Sequence, residues 1–181
     1  SWVAQNNAAV VAINANDYAS ALNFLDKANK ISPNNPAVIN NYGVVYAKQG
    51  NWEKAEENFN NAKKLGHNEN YNLGVVAIHN GEYEQALQLF GNKKCDFNVA
   101  LAQALLEKYD EANSNLACAP ETCKTNYLQA VVAARQDKET LKSLVDYTVK
   151  HHFTYLGNTI TKETYIQFFK EVSERTLDMI I

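Results

Sequence analysis

Glycine, proline, long apolar runs and charge of one sign are all scarce in this chain. It has 7 Gly and 3 Pro in 181 residues, and because tight turns and strand ends use these residues, the shortage favours helix over sheet. The net charge of −3 provides no basic field for nucleic acid. The longest wholly apolar run, residues 8–13, is far shorter than the roughly 20 residues that cross a bilayer. We therefore expect neither a nucleic-acid partner nor insertion into a membrane.

Two residue types are abundant instead. Alanine occurs 23 times and favours helix. Asparagine occurs 24 times, with 20 of these in residues 1–100, an excess that helix propensity does not explain. No signal peptide is visible, and the chain opens on Ser1 and Trp2 without a Met. This opening fits a processed chain or a piece excised from a longer protein.

A short pattern recurs along the chain, which is the first thing to test in a helical sequence. An aromatic residue follows a turn, and an alanine follows the aromatic three residues later. These alanines are 34, 31 and 26 residues apart, at Ala21, Ala55, Ala86 and Ala112. Upstream of the later turns lie apolar runs that contain a small residue, at Gly43, Gly74, Ala100 and Ala130.

These residues resemble the tetratricopeptide repeat, a pair of antiparallel helices A and B. The second repeat, about 36–69, matches the family pattern at Ile39, Tyr42, Gly43, Tyr46, Ala55, Phe59 and Ala62. The first, about 2–35, matches it at Ala9, Ala12, Ala21, Leu25, Ala28 and Pro33. The resemblance is strong over residues 1–91, continues in shortened and degenerate repeats to about 146, and stops near His151.

The resemblance implies an all-α fold, a right-handed α-solenoid of antiparallel helix pairs in which each pair buries its apolar face against the next. We predict five pairs, at about 2–35, 36–66, 67–92, 94–118 and 123–148. The predicted domains are a repeat array at 1–150 and a helical segment at 151–181. Apolar side chains on one face of about 162–180 predict a helix there, which either caps the last repeat or docks into a groove.

In this family the A helices line a concave groove, so their inward positions are the candidate binding residues. One such position is an asparagine in four consecutive repeats: Asn7, Asn41, Asn72 and Asn98. A carboxamide complements a peptide C=O and N–H, and such an asparagine ladder is similar to those that hold an extended peptide in certain family members. Rungs about 10 Å apart would meet roughly every third residue of that peptide. The alternative is that these amides bond to neighbouring helices.

The remaining inward positions change character along the chain. The N-terminal repeats carry more amides, and the later ones carry aromatic and basic residues. We predict peptide contacts for Asn6, Asn40, Tyr71, Phe97, Tyr127, Lys48, His79, Lys94, Lys124 and Arg135. The aromatic residues would act as anchors and the basic ones as counter-charges for an acidic ligand; inter-helix packing is the alternative role of the aromatics. The carboxylate clamp of chaperone-binding members is not reproduced, since Asn6 and Val10 replace its first Lys and Asn.

Cysteine and histidine indicate little chemistry. Three Cys are an odd number, so a closed disulfide framework is excluded; Cys118 and Cys123 flank the link before the fifth pair and could form a bridge, the alternative being small buried thiols. The adjacent His151 and His152 point to different sides of a helix and make a poor chelate. No glycine-rich phosphate loop or His-x-x-x-His pair occurs. We expect no metal, no cofactor and no enzyme activity.

Two functional hypotheses follow. The first is a protein–protein interaction module that holds a partner segment in the groove. The second is a structural spacer or assembly surface within a larger protein, acting through the convex face or the C-terminal helix, which could also mediate a homo-oligomer. The style of the repeats suggests a bacterial periplasmic or envelope protein, and otherwise a cytoplasmic one.

Overall fold

The computed structural model describes residues 1–136, which form nine α-helices and contain no strand. The helices are α1 (Trp2–Asn14), α2 (Tyr18–Ile31), α3 (Pro36–Lys48), α4 (Trp52–Lys64), α5 (Asn70–His79), α6 (Tyr83–Phe90), α7 (Phe97–Leu105), α8 (Tyr109–Cys118) and α9 (Cys123–Gln136). The predicted segment 151–181, its helix at about 162–180 and the second half of the fifth pair lie outside the described residues.

Asparagine caps two of these helices and occupies turns that precede others. Asn51 accepts a hydrogen bond from the Lys54 N–H at 3.1 Å and so caps α4. Asn35 caps α3, whose first residue, Pro36, has no N–H to satisfy. Asn16 and Asn34 have φ of 57° in the turns before α2 and α3, a conformation that asparagine tolerates better than most residues. Part of the asparagine excess therefore serves the helix ends.

Consecutive helices pack as the predicted antiparallel pairs, α1 with α2, α3 with α4, α5 with α6 and α7 with α8. Small residues allow the close approach, because Gly43 lies against the Phe59 ring and Gly74 against the Phe90 ring. The later pairs are shortened, as predicted: helices α5 to α8 have 8 to 10 residues, and α1 to α4 have 13 or 14.

The chain divides into two compact units, Ser1–Gly91 and Asn92–Ile181. The first contains α1 to α6. Its core has one cluster around Ala9, Leu25 and Val45 and a second around Phe59 and Val76. The described part of the second unit contains α7 to α9, whose buried residues include Leu101, Leu116, Leu128 and Val132. The first unit and the described part of the second are thus all-α, with consecutive helices packed on each other. No helix within residues 1–136 is long and apolar enough to span a bilayer.

The bridge considered between Cys118 and Cys123 is wrong. Cys95 pairs with Cys118, at a Cα–Cα distance of 4.8 Å, and Cys123 is an exposed free thiol. The reason is the antiparallel pairing of α7 and α8, which brings the segment before α7 beside the end of α8. The Cys95 N–H also donates to Asn115 Oδ1 at 2.9 Å, which holds the two segments together.

Candidate partner-binding face

Four half-buried asparagines form a row across the A helices of the first unit. We call Asn6, Asn40, Asn41 and Asn72 the amide row. Asn41 Nδ2 donates to Asn6 Oδ1 at 2.8 Å, which joins α3 to α1. Asn72 reaches Asn40 with its Nδ2 atom 2.9 Å from Asn40 Oδ1, which joins α5 to α3. The row therefore crosses three consecutive repeats, each contact spanning more than 30 residues of sequence.

The predicted ladder and the observed row share two members. Asn41 and Asn72 belong to both. Asn7 is exposed, and its neighbour Asn6 makes the contact to Asn41 instead. Asn98 is half-buried in α7 of the second unit, where its N–H donates to Asp96 Oδ1 at 2.9 Å.

Glu69 is a residue of this face that the sequence pattern did not indicate. It precedes α5 and is only 1% exposed. Its Oε2 atom accepts from Asn72 Nδ2 at 2.9 Å, and its Oε1 atom contacts the Nδ1 atom of the half-exposed His67 ring. A buried carboxylate needs such partners, because burial without them is costly. A helix-start residue gives no local signal of this burial, which arises from the neighbouring repeat.

The Asn40 amide lies between Glu69 and Asn41, and the orientation of its terminal atoms decides which bonds it makes. With the oxygen toward α5 it accepts from Asn72, and its nitrogen is 3.4 Å from Asn41 Oδ1. With the nitrogen toward α5 it donates to Glu69 Oε2 at 2.8 Å. In either orientation Asn40 is part of a polar network that joins α3 to α5.

Two exposed apolar side chains lie on the Asn6 side of α1, one three residues before it and one four residues after it. Val3 and Val10 on α1 are 45% and 37% exposed.

Tyr42 on α3 donates its hydroxyl hydrogen to Asp26 on α2. Burial, followed by the hydrogen bond and the negative charge of Asp26, raises the pKa of Tyr42 well above its usual range. The Tyr42 hydroxyl therefore remains a neutral donor throughout the physiological pH range.

The other predicted site residues of the first unit take part in packing or lie at its surface. Tyr71 is half-buried, with its ring 5.2 Å from that of Phe90. His79 stacks on Trp52, with ring centroids 3.5 Å apart and planes 14° apart. Lys48 is exposed at the end of α3.

The second unit holds the remaining predicted residues. Phe97 is half-buried at the start of α7. Lys94 is exposed and lines a cavity of about 330 Å³ beside the Cys95–Cys118 disulfide. On α9, Tyr127 and Lys124 are exposed and Arg135 is half-buried. Residues 1–136 contain no group of three or more His, Cys, Asp or Glu arranged to hold a metal ion.

Comparisons with known proteins agree with this architecture. A family model described as tetratricopeptide repeat matches residues 12–72. A solved structure titled "Functional Characterization of Pseudomonas Aeruginosa pilF" superposes with a TM-score of 0.58 and 24% identity, over 94% of this chain and 82% of that one; it supports the α-solenoid fold alone. A curated relative, protein nucleotidyltransferase YdiU of Flavobacterium johnsoniae, is 43% identical over 51 residues, or 28% of this chain. The chain spans only 10% of that relative's length.

Proposed function

We propose that this chain, which belongs to the tetratricopeptide repeat family, is a non-enzymatic module that binds a segment of a partner protein on the A-helix face of residues 1–91. Tetratricopeptide folds are typical of protein–protein interaction modules, and the family model matches within this unit. The binding residues that we assign are those of the amide row together with the apolar side chains beside it.

The amide row is the observation that carries the proposal. Its four carboxamides lie on helices that carry almost no charge: the segments of α1, α3 and α5 include no acidic residue, and Lys48 and His79 are their basic ones. A face of amides and aliphatic groups suits the backbone of an extended segment, since each amide offers both a donor and an acceptor. The half-buried row is costly to maintain for packing alone, because apolar side chains would fill the same space without needing hydrogen bonds.

The test replaces two amides and measures partner capture. We expect the double variant Asn41→Ala, Asn72→Ala to lower the yield of partner captured from native cells by about tenfold, because two sets of hydrogen bonds to the segment are lost. Each substitution also removes a bond between neighbouring A helices, so a loss of about 1 kcal/mol in unfolding free energy is expected for each. Helicity by circular dichroism should change little.

A matched control separates binding from stability. Asn23 and Asn61 are exposed on the B helices α2 and α4, and their double alanine variant should capture the partner as the unmodified chain does. If the Asn41, Asn72 variant loses stability but captures the same partner in full, the amide row serves the fold and the proposed binding face is wrong.

A cavity on the B-helix side favours a second candidate, the assembly surface. It measures about 150 Å³ and lies among α4, α5 and α6, with Glu56, Asn60, Glu82 and Gln85 at its polar lining. In this alternative the B helices or the 151–181 segment make the contacts. Light scattering of chains with and without residues 151–181 distinguishes self-association from binding by a monomer.

The Cys95–Cys118 disulfide supports an oxidising compartment, such as a bacterial periplasm, for either function.

A further inference from the structure

One position of the A helices is open to solvent in the first repeat and buried in the next two. It is a valine in all three, at Val11 on α1, Val45 on α3 and Val76 on α5, four residues after the predicted ladder asparagine of each helix. Val45 and Val76 are 0% and 2% exposed, whereas Val11 is 69% exposed. The first repeat therefore leaves uncovered a position that the other repeats of this unit cover.

The preceding B helix covers this position in the second and third repeats. α2 packs on α3, and α4 packs on α5. Val45 belongs to one buried cluster with Leu25 of α2, and Val76 belongs to another with Phe59 of α4. The covering helices share one spacing, in which an alanine is followed four residues later by a leucine or phenylalanine and three residues after that by a second alanine: Ala21, Leu25 and Ala28 on α2, and Ala55, Phe59 and Ala62 on α4.

The uncovered side of α1 is apolar and uncharged. It consists of Ala4, Ala8 and Val11, which lie on one side of the helix because they follow one another at i, i+4 and i+7; we call these residues the outer face of α1. No residue of α1 is charged, and its other side is already buried at Ala9 and Ile13. A helix that is apolar on two sides is typical of one that is packed on two sides.

We propose that the outer face of α1 binds an amphipathic helix of a partner protein, which stacks on α1 as α2 stacks on α3. The helix that fits carries alanine, leucine or phenylalanine, and alanine at i, i+4 and i+7, since that spacing covers the equivalent valines. An uncharged partner face is required, because a charged group buried against Val11 would lose its hydration without a counter-charge.

This surface is separate from the amide row. Ala4 and Asn6 are two residues and so about 200° apart around α1. Within residues 1–136, a second copy of this chain has no free helix of the required kind, because the leucine or phenylalanine of each B helix is already buried in its own unit: Leu25, Phe59, Phe90 and Leu116. We therefore assign the outer face to a different protein.

The experiment uses a blocked, fluorescein-labelled peptide with the sequence of α2, residues 18–31, held helical by a hydrocarbon staple between positions 23 and 27. Both positions are exposed in the protein and lie two residues from Leu25, on the opposite side of the helix. Binding to the full chain is measured by fluorescence anisotropy. We expect saturable binding that Val11→Glu weakens at least about tenfold, because the substitution places a charge in an apolar contact. Ala4→Glu should act in the same way.

Matched controls separate this surface from general apolar adhesion and from the amide row. Ile31 is 55% exposed at the end of α2, and Ile31→Glu should leave the affinity unchanged. The double variant Asn41→Ala, Asn72→Ala should also bind the stapled peptide as the unmodified chain does. A stapled peptide that carries Leu25→Asp should not bind. Circular dichroism should show that each protein variant keeps its helices.

The outcomes decide between the occupants. An absence of saturable binding, or equal affinity for the unmodified chain and both outer-face variants, overturns the proposal and leaves the function of the amide row untouched. Sedimentation velocity checks for a second copy on this face: a dimer of the unmodified chain that Val11→Glu converts to a monomer would also overturn it. A monomer whose peptide binding is lost in Val11→Glu supports it.

Discussion

Glycine and phenylalanine form the same contact in two successive repeats. A Cβ atom built on Gly43 would lie 2.6 Å from Phe59 Cε1, and one on Gly74 would lie 2.5 Å from Phe90 Cε1. Both glycines are helical and make no use of a positive φ. They are therefore required by close packing of helix A on helix B, and the ring fills the space that a side chain would need.

Gly43→Ala tests this packing. Alanine favours helix over glycine by about 1 kcal/mol, yet we expect the variant to lower the free energy of unfolding by about 1–3 kcal/mol, because the added methyl group meets the Phe59 ring. Urea denaturation followed by circular dichroism provides the measurement. The double variant Gly43→Ala, Phe59→Leu should recover part of the loss. A single variant more stable than the unmodified chain would contradict the contact.

Asparagine has three separate uses in the first unit. Asn35 and Asn51 cap helices, Asn16 and Asn34 occupy left-handed turn positions, and the amide row joins neighbouring A helices. The first two uses are local and could be read from the position of each residue relative to the helices. For the amide row, the sequence could predict only that asparagines share one face of the A helices. It could not predict which of them bond to each other, because the bonding partners are 32 and 35 residues apart.

The helix pair α7 and α8 is closed by a covalent bond as well as by packing. Cys95 lies just before α7 and Cys118 ends α8, and the two cysteines are 23 positions apart in the sequence. Asn115 supports the closure twice, accepting from the Cys95 N–H and donating to Gln103 Oε1 at 2.8 Å. A disulfide at the open end of a helical hairpin lowers the conformational entropy of the unfolded chain and so stabilises the folded one. This compensates for the small packing area of helices that have only 9 and 10 residues.

Removing this disulfide should destabilise the second unit selectively. Cys95→Ala with Cys118→Ala is expected to cost about 3 kcal/mol, the value for closing a loop of this length. Hydrogen exchange should therefore rise in α7 and α8 and stay unchanged in residues 1–91, which form a compact unit of their own. Cys123→Ser, at the exposed free thiol, is the control and should change neither.

Peptide mapping checks the pairing itself. Non-reducing trypsin digestion should yield residues 95–108 linked to residues 109–124, since Lys94, Lys108 and Lys124 are the cleavage sites. Alkylation before reduction should label Cys123. A linkage confined within residues 109–124 would show that Cys118 pairs with Cys123 and would refute the observed bridge.

At the scale of the whole molecule, the chain divides into two compact units between Gly91 and Asn92. The joining residues 91–95 are all exposed, including Lys93 and Lys94. Three helix pairs and two apolar clusters lie on the N-terminal side. Such a unit carries its own core, which is the physical requirement for independent folding.

Limited trypsin digestion tests this division. The first cut is expected after Lys93 or Lys94, because the exposed joint is more accessible than the helices around it. The fragment that begins at Ser1 should keep its helical circular dichroism and unfold cooperatively in urea. Initial cleavage within α1 to α6, or a fragment without a cooperative transition, would contradict an autonomous first unit.

Local sequence was sufficient for the helix pairs, their shortening after Gly66 and the small residues at the A–B contacts, because each depends on residues a few positions apart. Three features depended on the folded chain. They are the burial of Glu69, the presence of Asn6 instead of the predicted Asn7 in the amide row, and the pairing of Cys95 with Cys118. Each of these joins segments from different helices. A one-residue shift in how two helices meet changes which side chains touch, and helical periodicity does not specify that shift.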